Sequence, residues 1–431
     1  MTTILPAPPA GRAFEPTLAI DPANPDRMIA GAMRGILPHE PSTGIWTWQS
    51  TDGGKTWTGG PLQTPRVPGD TGAQVFAADV VAGFSLDGTP LFTTIAGVGG
   101  PIGTFVSRMP GLPDSATSVP VVVNAPDSAT GATAFYDKPW MIVDHLDGSP
   151  HRGNVYMSSG KLMMHAMPER LGEPWGGPLD TRLVVATSRD SGRTFSPEVQ
   201  VSDSAFAGQL AVTPGGVLEV TYARLVNMQG SGNAIFHRRS TDGGSTFSAP
   251  EAVTIVTGDT LLDLPVLAAR PNGDLLACWS QGVRSNELTN QVRCAVRPVS
   301  GAWSRLGPVD PLLPVGMAEG WAAITGTEKG WYLLLYQVSQ AHTQVVLYRG
   351  EDGTVFTPVT ILAANDSLGL DRFCLNGVTP CRRSRADGFS LGDYVAIDAK
   401  GGRIAAAFVL PRRAGARPDS AVVYVSVLTE P

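Results

Sequence analysis

The chain has 431 residues, 42% apolar and 16% charged, enough apolar material for a large core and too much for a disordered polymer. A net charge of −6 without any basic block argues against nucleic acid as a partner, because phosphate binding needs a positive surface. The 50 glycines and 36 prolines predict many turns and few long helices, and no apolar run is long enough to span a membrane.

In chain order, residues 1–14 come first, with "TTILP" as one short strand. They lack the basic and apolar regions of a signal peptide. The expectation is a secreted or periplasmic protein whose leader is absent from this chain, with the cytoplasm as the alternative. Seven apolar strands follow: "EPTLAID", "ADVVAG", "KPWMIVD", "GQLAVT", "LPVLAA", "GWAAIT" and "DYVAID". Each runs into a tight turn, at Asn24, Gly88, Gly148, Gly215, Gly273, Gly330 and Gly401, and then a second strand. The turns recur roughly every sixty residues, the length of a four-stranded antiparallel unit with its loops. The segment 161–181, "KLMMHAMPERLGEPWGGPLDT", is longer than the other loops and is expected to cover one mouth of the assembly.

A shorter repeat is laid over this one. "STDGGKTW" starts at Ser50, "SRDSGRTF" at Ser188 and "STDGGSTF" at Ser240; a decayed copy, "RGEDGTVF", ends at Phe356. The Asp side chain is suited to accept backbone N–H groups two or three residues on, Gly supplies positive φ, and the aromatic buries against the next sheet. A calcium loop would need more carboxylates and a closing Glu. The stretch therefore reads as a structural clasp.

These copies resemble the Asp-box, or BNR, repeat of sialidases and related β-propellers. The resemblance implies an all-β fold, a single propeller over residues 1–431 with four-stranded blades. Seven blades are favoured by the turn count, and six, usual in sialidases, is the alternative. The strand "TTILP" within residues 1–14 would then complete the last blade.

In a propeller the first strand of each blade lines a central channel, and its entrance faces a funnel. The entrance residues here are Glu15, Asp79, Asp137, Lys138, Trp140, Gln209, Asp263, Glu319, Trp321, Asp393 and Tyr394. Carboxylates converging on one mouth must be protonated or paired with cations. Arg34, Arg224, Arg372, Arg382, Arg383 and Arg385 are the candidates, and arginine binds carboxylates bidentately. The sialidase resemblance implies Tyr394 as nucleophile with Glu319 as its partner and Asp79 as acid/base. It assigns Arg34, Arg224 and one of Arg372, Arg382 or Arg383 to the substrate carboxylate; from their place at the entrances, Glu15, Lys138, Trp140 and Asp393 are expected to bind substrate beside them. Where sialidases carry Phe/Tyr-Arg-Ile-Pro, this chain has Phe14-Glu15-Pro16, so the first arginine has no counterpart by motif.

The implied function is a sialidase-like glycoside hydrolase acting on an acidic oligo- or polysaccharide. The alternatives are a non-catalytic glycan- or protein-binding propeller and a uronate lyase, for which Tyr222 and Arg224, two apart on one strand face, are suited. Asp144, His145, Asp147 and His151 share one turn and read as surface turn chemistry. No cofactor and no catalytic metal are expected, a structural calcium ion being the alternative, and the protein is expected to be a monomer. Cysteines 374 and 381 bracket a small loop, while Cys278 and Cys294 lie in neighbouring strands. Disulfides at these pairs are the alternative to four free thiols.

Overall fold

Each of the seven turns returns the chain antiparallel beside the strand that entered it. The computed structural model describes residues 1–6, 8, 12–35, 44–65, 75–98, 102–111, 117–123, 133–164, 180–225, 232–263, 265–283, 286–351, 355–366, 392–411 and 421–430. Among them all regular structure is β, arranged as a seven-bladed propeller of four-stranded antiparallel blades. The inner strands are Arg12–Ile20, Val75–Phe84, Thr133–Val143, Ala205–Thr213, Val266–Ala269, Ala318–Thr327 and Ala396–Lys400, one for each blade in order. Thr2–Ile4 pairs with Ala421–Thr429 and is the outer strand of blade 7, so one sheet contains both ends of the chain. Arginines 372, 382, 383 and 385, cysteines 374 and 381, and most of the 161–181 segment lie outside the described residues.

The core is a series of apolar layers between adjacent blades. Phe92 and Phe105 pack between blades 1 and 2, Val106 and Met157 between 2 and 3, and Leu210 and Tyr156 between 3 and 4. Trp279 lies between 4 and 5, Trp331 between 5 and 6, and Phe408 in the layer that joins 6, 7 and 1. A disulfide joins Cys278 to Cys294, which stand opposite each other on adjacent strands of blade 5.

Blade 5 differs from the rest. Its inner edge is made of two strands, Thr260–Leu262 and Val266–Ala269, and the first pairs with both blade 5 and blade 4. The two blades thus form one continuous nine-stranded sheet.

The three intact Ser-x-Asp turns share one hydrogen-bond pattern, on the face opposite the strand entrances. In the third, Asp242 Oδ1 accepts from the Ser245 and Thr246 amides at 3.0 and 2.9 Å, and Oδ2 accepts from the Thr246 hydroxyl at 2.6 Å. Ser240 Oγ donates to Asp242 at 2.7 Å and accepts from Gly244 N at 2.8 Å. The carboxylate therefore reaches amides three and four residues on, one further than the local sequence suggested. Gly244 has φ +85° and abuts blade 3, where a Cβ would come within 2.6 Å of Thr187 Oγ1. The clasp thus pins its own blade to the preceding one.

The Thr246 hydroxyl, foremost among these donors, holds the Asp242 carboxyl at about 2. Such a group contributes stability above the ordinary carboxylate range and loses it as pH falls through its folded value. Asp242→Ala is expected to cost about 1 kcal/mol at pH 7, given the solvent around the turn. In calorimetry the melting temperature drops, and the gap to the parent narrows as pH approaches 2. A gap independent of pH would contradict the clasp.

Candidate active site

Five inner strands carry an irregularity near their entrance, between Phe14 and Thr17, Ala78 and Val81, Asp137 and Trp140, Ala205 and Gly208, and Gly320 and Ala323. In four of them the first bulged residue is left-handed without being glycine: Glu15, Asp79, Lys138 and Trp321, with φ between 48° and 53°. Each such residue costs about 1–2 kcal/mol, and a bulge re-aims its side chain. Pro16 and Pro139 follow two of them, at positions where the ladder needs no donor. Four strained residues in equivalent places of one ring mark a site whose geometry is maintained at the expense of stability.

Three of the four, together with blade 7, assemble one charge cluster. Lys138 Nζ pairs with Asp393 Oδ2 and lies 3.5 Å from Asp79 Oδ2. The Tyr394 hydroxyl is 3.5 Å from the same Asp79 oxygen, and the Lys138 ammonium sits 5.0 Å from the Tyr394 ring centre. Trp140 tilts against Tyr394 with ring centres 6.4 Å apart. Glu15 Oε1 accepts the Asp393 amide at 3.0 Å across the seam between blades 1 and 7. Its Oε2 is buried without a hydrogen-bond partner among the described residues. Gly392, at φ +92°, crosses so close to Glu15 that a Cβ would fall 1.9 Å from Glu15 Cγ.

Burial and the adjacent Asp79 raise the Glu15 carboxyl well above its usual range. The same two causes, with a hydrogen bond to Asp79, push half-buried Asp137 up to about 7. Burial also raises Tyr394, although Lys138 acts the other way. Burial alone would pull Lys138 down; Asp393 and Asp79 outweigh it and leave the ammonium firmly protonated. The cluster thus sets the Lys138 cation against Asp79 and Asp393, beside a phenol and a Glu15 carboxyl both biased toward their neutral forms and an Asp137 near its midpoint at neutral pH.

The cluster adjoins a cavity of about 350 Å³ in the channel mouth. Lys138, Trp140, Asp393 and Tyr394 line one side, with Gln209, Asp263 and Trp321 also on the wall; Glu15, Asp79 and Asp137 are not lining residues and reach it through Lys138, Asp393 and Tyr394. Leu18, Met141, Leu267, Ile324 and Ile397 border both this cavity and a second one, of about 330 Å³, toward the turns.

Several expected site residues lie elsewhere. Glu319 is fully buried toward blade 5, accepting from Val292 N at 3.0 Å and Gln337 Nε2 at 3.4 Å. Asp79, not Glu319, is the carboxylate beside Tyr394. The cause is phase: Glu319 stands two residues before the left-handed Trp321, matching Ala13 and Ala77 on their strands, and so faces a neighbouring blade. Arg224 is spent on Asn233 Oδ1, at 3.1 and 3.3 Å, and lies over Phe236; it is not among the cavity residues. Tyr222 packs into the core between blades 3 and 4, which separates the Tyr222–Arg224 pair from the cavity. Arg34 pairs in register with Ala13 near the entrance of blade 1 and does not line the cavity. His145 and His151 bond the Phe84 and Thr241 carbonyls on the turn face. Among the described residues no group of acidic, His or Cys side chains is arranged to hold a metal. Asp137 stands among the entrance residues without a role that its sequence assigns; the Asp-Lys-Pro order of a bulge is its signal.

No protein-family model and no curated protein matches the chain. Among solved structures, an ulvan lyase of polysaccharide lyase family PL25, bound to a GlcA–Rha3S saccharide, superposes with a TM-score of 0.56 at 11% identity, covering 98% of this chain and 95% of the other. The α-L-arabinofuranosidase of Fusarium graminearum with arabinobiose gives 0.48 at 12%, over 99% and 97%. The NanB sialidase of Streptococcus pneumoniae gives 0.45 at 11%, over 97% and 68%. At such identities the ulvan lyase likeness is one of fold alone, and the two looser ones add nothing to it.

Burial holds the Glu319 carboxyl protonated to about pH 7, against an ordinary 4.5. Between these values the native state binds the extra proton, so stability falls as pH rises through the window and levels off above it. The drop is at most about 3 kcal/mol. Glu319→Gln should lessen the fall of the melting temperature between pH 5 and 8, with Asp137 supplying part of the slope that remains. An unchanged slope would mean that Glu319 does not titrate in this range.

Proposed function

We propose that the protein is a retaining glycoside hydrolase, sialidase-like in scaffold, with Tyr394 as its nucleophile. The observation that carries this is the Tyr394 hydroxyl beside the Asp79 carboxylate at a cavity wall, with strained backbone holding Asp79 in place. A phenol whose pKa is raised cannot attack as a free phenolate, so it needs a base at hand, and Asp79 is that base.

Tyr394 Oη bonds to the anomeric carbon while its proton passes to Asp79. The glycosidic C–O bond breaks, and the leaving oxygen takes the proton of Asp137. In the second half, Asp137 removes a proton from water, and the water oxygen bonds to the anomeric carbon. Tyr394 leaves and recovers its proton from Asp79. Glu15 holds the Asp393-Tyr394 backbone in place, and Trp140 fixes the phenol ring. The Cys278–Cys294 disulfide supports an oxidising compartment, secreted or periplasmic. The substrate in this reading is an acidic oligo- or polysaccharide, and the working state is a monomer.

Lys138 next to Tyr394 also favours a second reading, a uronate lyase in which the ammonium draws charge from the substrate carboxylate. The protonated Tyr394 with a carboxylate partner fits the hydrolase better. Fluorogenic glycosides, including sialosides, and uronate polysaccharides separate the two, because a lyase leaves an unsaturated product absorbing in the near ultraviolet. Turnover of neither would favour a glycan-binding propeller without activity.

Two kinetic outcomes are expected. Tyr394→Phe lowers kcat/KM on the cleaved glycoside by roughly 10³-fold with the fold intact; full activity removes Tyr394 from the chemistry. Asp137 must enter the cycle protonated, so activity is retained below about 7 and falls about tenfold per pH unit above it. Asp137→Asn should abolish that alkaline limb along with most of the rate.

A further inference from the structure

Lys138 has two carboxylate partners of unlike character. Asp79 is buried and left-handed, and it also serves Tyr394. The Asp393 side chain is 34% exposed on the cavity side, while its backbone amide is fixed by Glu15. Turning that side chain away from Lys138 would leave the Glu15-held backbone in place.

We propose that Asp393 occupies, in the free protein, the place of a substrate carboxylate, and that Lys138 is the receptor for the acid group of an acidic sugar ring. Exchange of one carboxylate for another leaves the buried ammonium neutralised throughout, so no new desolvation is incurred. Addition without exchange would crowd three carboxylates around one cation and is disfavoured. The strain stored at Lys138 has the same explanation: left-handed backbone aims the ammonium at the cavity wall and away from the regular strand. The titratable groups around it are Asp79, Asp393, Glu15, Tyr394 and Asp137. The ligand chemistry is a carboxylate on a pyranose ring, and uronic and sialic acids both supply it.

Because this rests on the hydrolase reading, the test uses binding as well as turnover. Ligand-observed NMR would titrate glucuronic acid, N-acetylneuraminic acid and, as neutral counterparts, glucose and N-acetylglucosamine. At least one acid is expected to bind about tenfold more tightly than the neutral sugars. Asp393→Asn removes the competitor and tightens that acid severalfold with little change for neutral sugars; Lys138→Gln, with its fold checked by thermal melting, removes the acid preference. Preference for glucuronic over N-acetylneuraminic acid, or the reverse, identifies the source. Equal binding of acids and neutral sugars, or an Asp393→Asn variant that binds the acid no better than the parent, overturns the inference. A protein that cleaves neutral glycosides through Tyr394 without acid preference would sink this inference and leave the hydrolase standing. Acid binding at Lys138 without cleavage of any glycoside would do the opposite.

Discussion

A lysine ammonium inside a ring of strands has to be neutralised, and much of the site follows from that requirement. Left alone, such a cation would lose its proton or unfold its surroundings, since the effective cost of burying an ion is several kcal/mol. Lys138 is kept charged by Asp79 from blade 2 and Asp393 from blade 7. Burial first and the Asp79 charge second raise the Glu15 carboxyl, and the same two causes bring Asp137 up to about 7. One cation thus holds carboxylates from two other blades and ties together parts of the ring that are distant in sequence.

The scaffold meets this demand through a division of labour between its two faces. On the turn face, the three Ser-x-Asp clasps spend serine, aspartate and threonine on local hydrogen bonds and fasten their own blades to the ones before. On the entrance face, bulged inner strands accept left-handed backbone at Glu15, Asp79, Lys138 and Trp321. The pairing of Thr2–Ile4 with Ala421–Thr429 closes the ring. That closure bears on the site directly, because the Glu15–Asp393 contact spans the seam between the first and last blades.

Much of the fold is legible in the sequence because its signals are local. Turn residues at Gly88, Gly273 or Gly401 and the Ser-x-Asp copies work through neighbours a few positions away. Lys138, Tyr394, Asp79 and Asp393 are also legible, since polar residues at the entrance of an apolar strand stand out. Glu319 shows where this stops. It looks like another entrance residue, but a bulge shifts the alternation by one, and only the partner strand reveals the phase. Arg224 and Tyr222 show a second limit: two side chains on one strand face can point into the layer between blades as readily as into the channel. The fully buried placement of Glu319 and the Asp79–Tyr394 pairing both arise from contacts between blades, which no local pattern encodes.

The central claim is that Tyr394 becomes covalently bonded to the sugar. An activated glycoside bearing fluorine beside the anomeric carbon slows breakdown of the intermediate and lets it accumulate, so that proteolysis and mass spectrometry can locate the label. The account predicts a single sugar adduct on the peptide containing Tyr394, absent from Tyr394→Phe. An adduct on a carboxylate such as Asp79, or turnover of the activated glycoside with no adduct at any position, would contradict it.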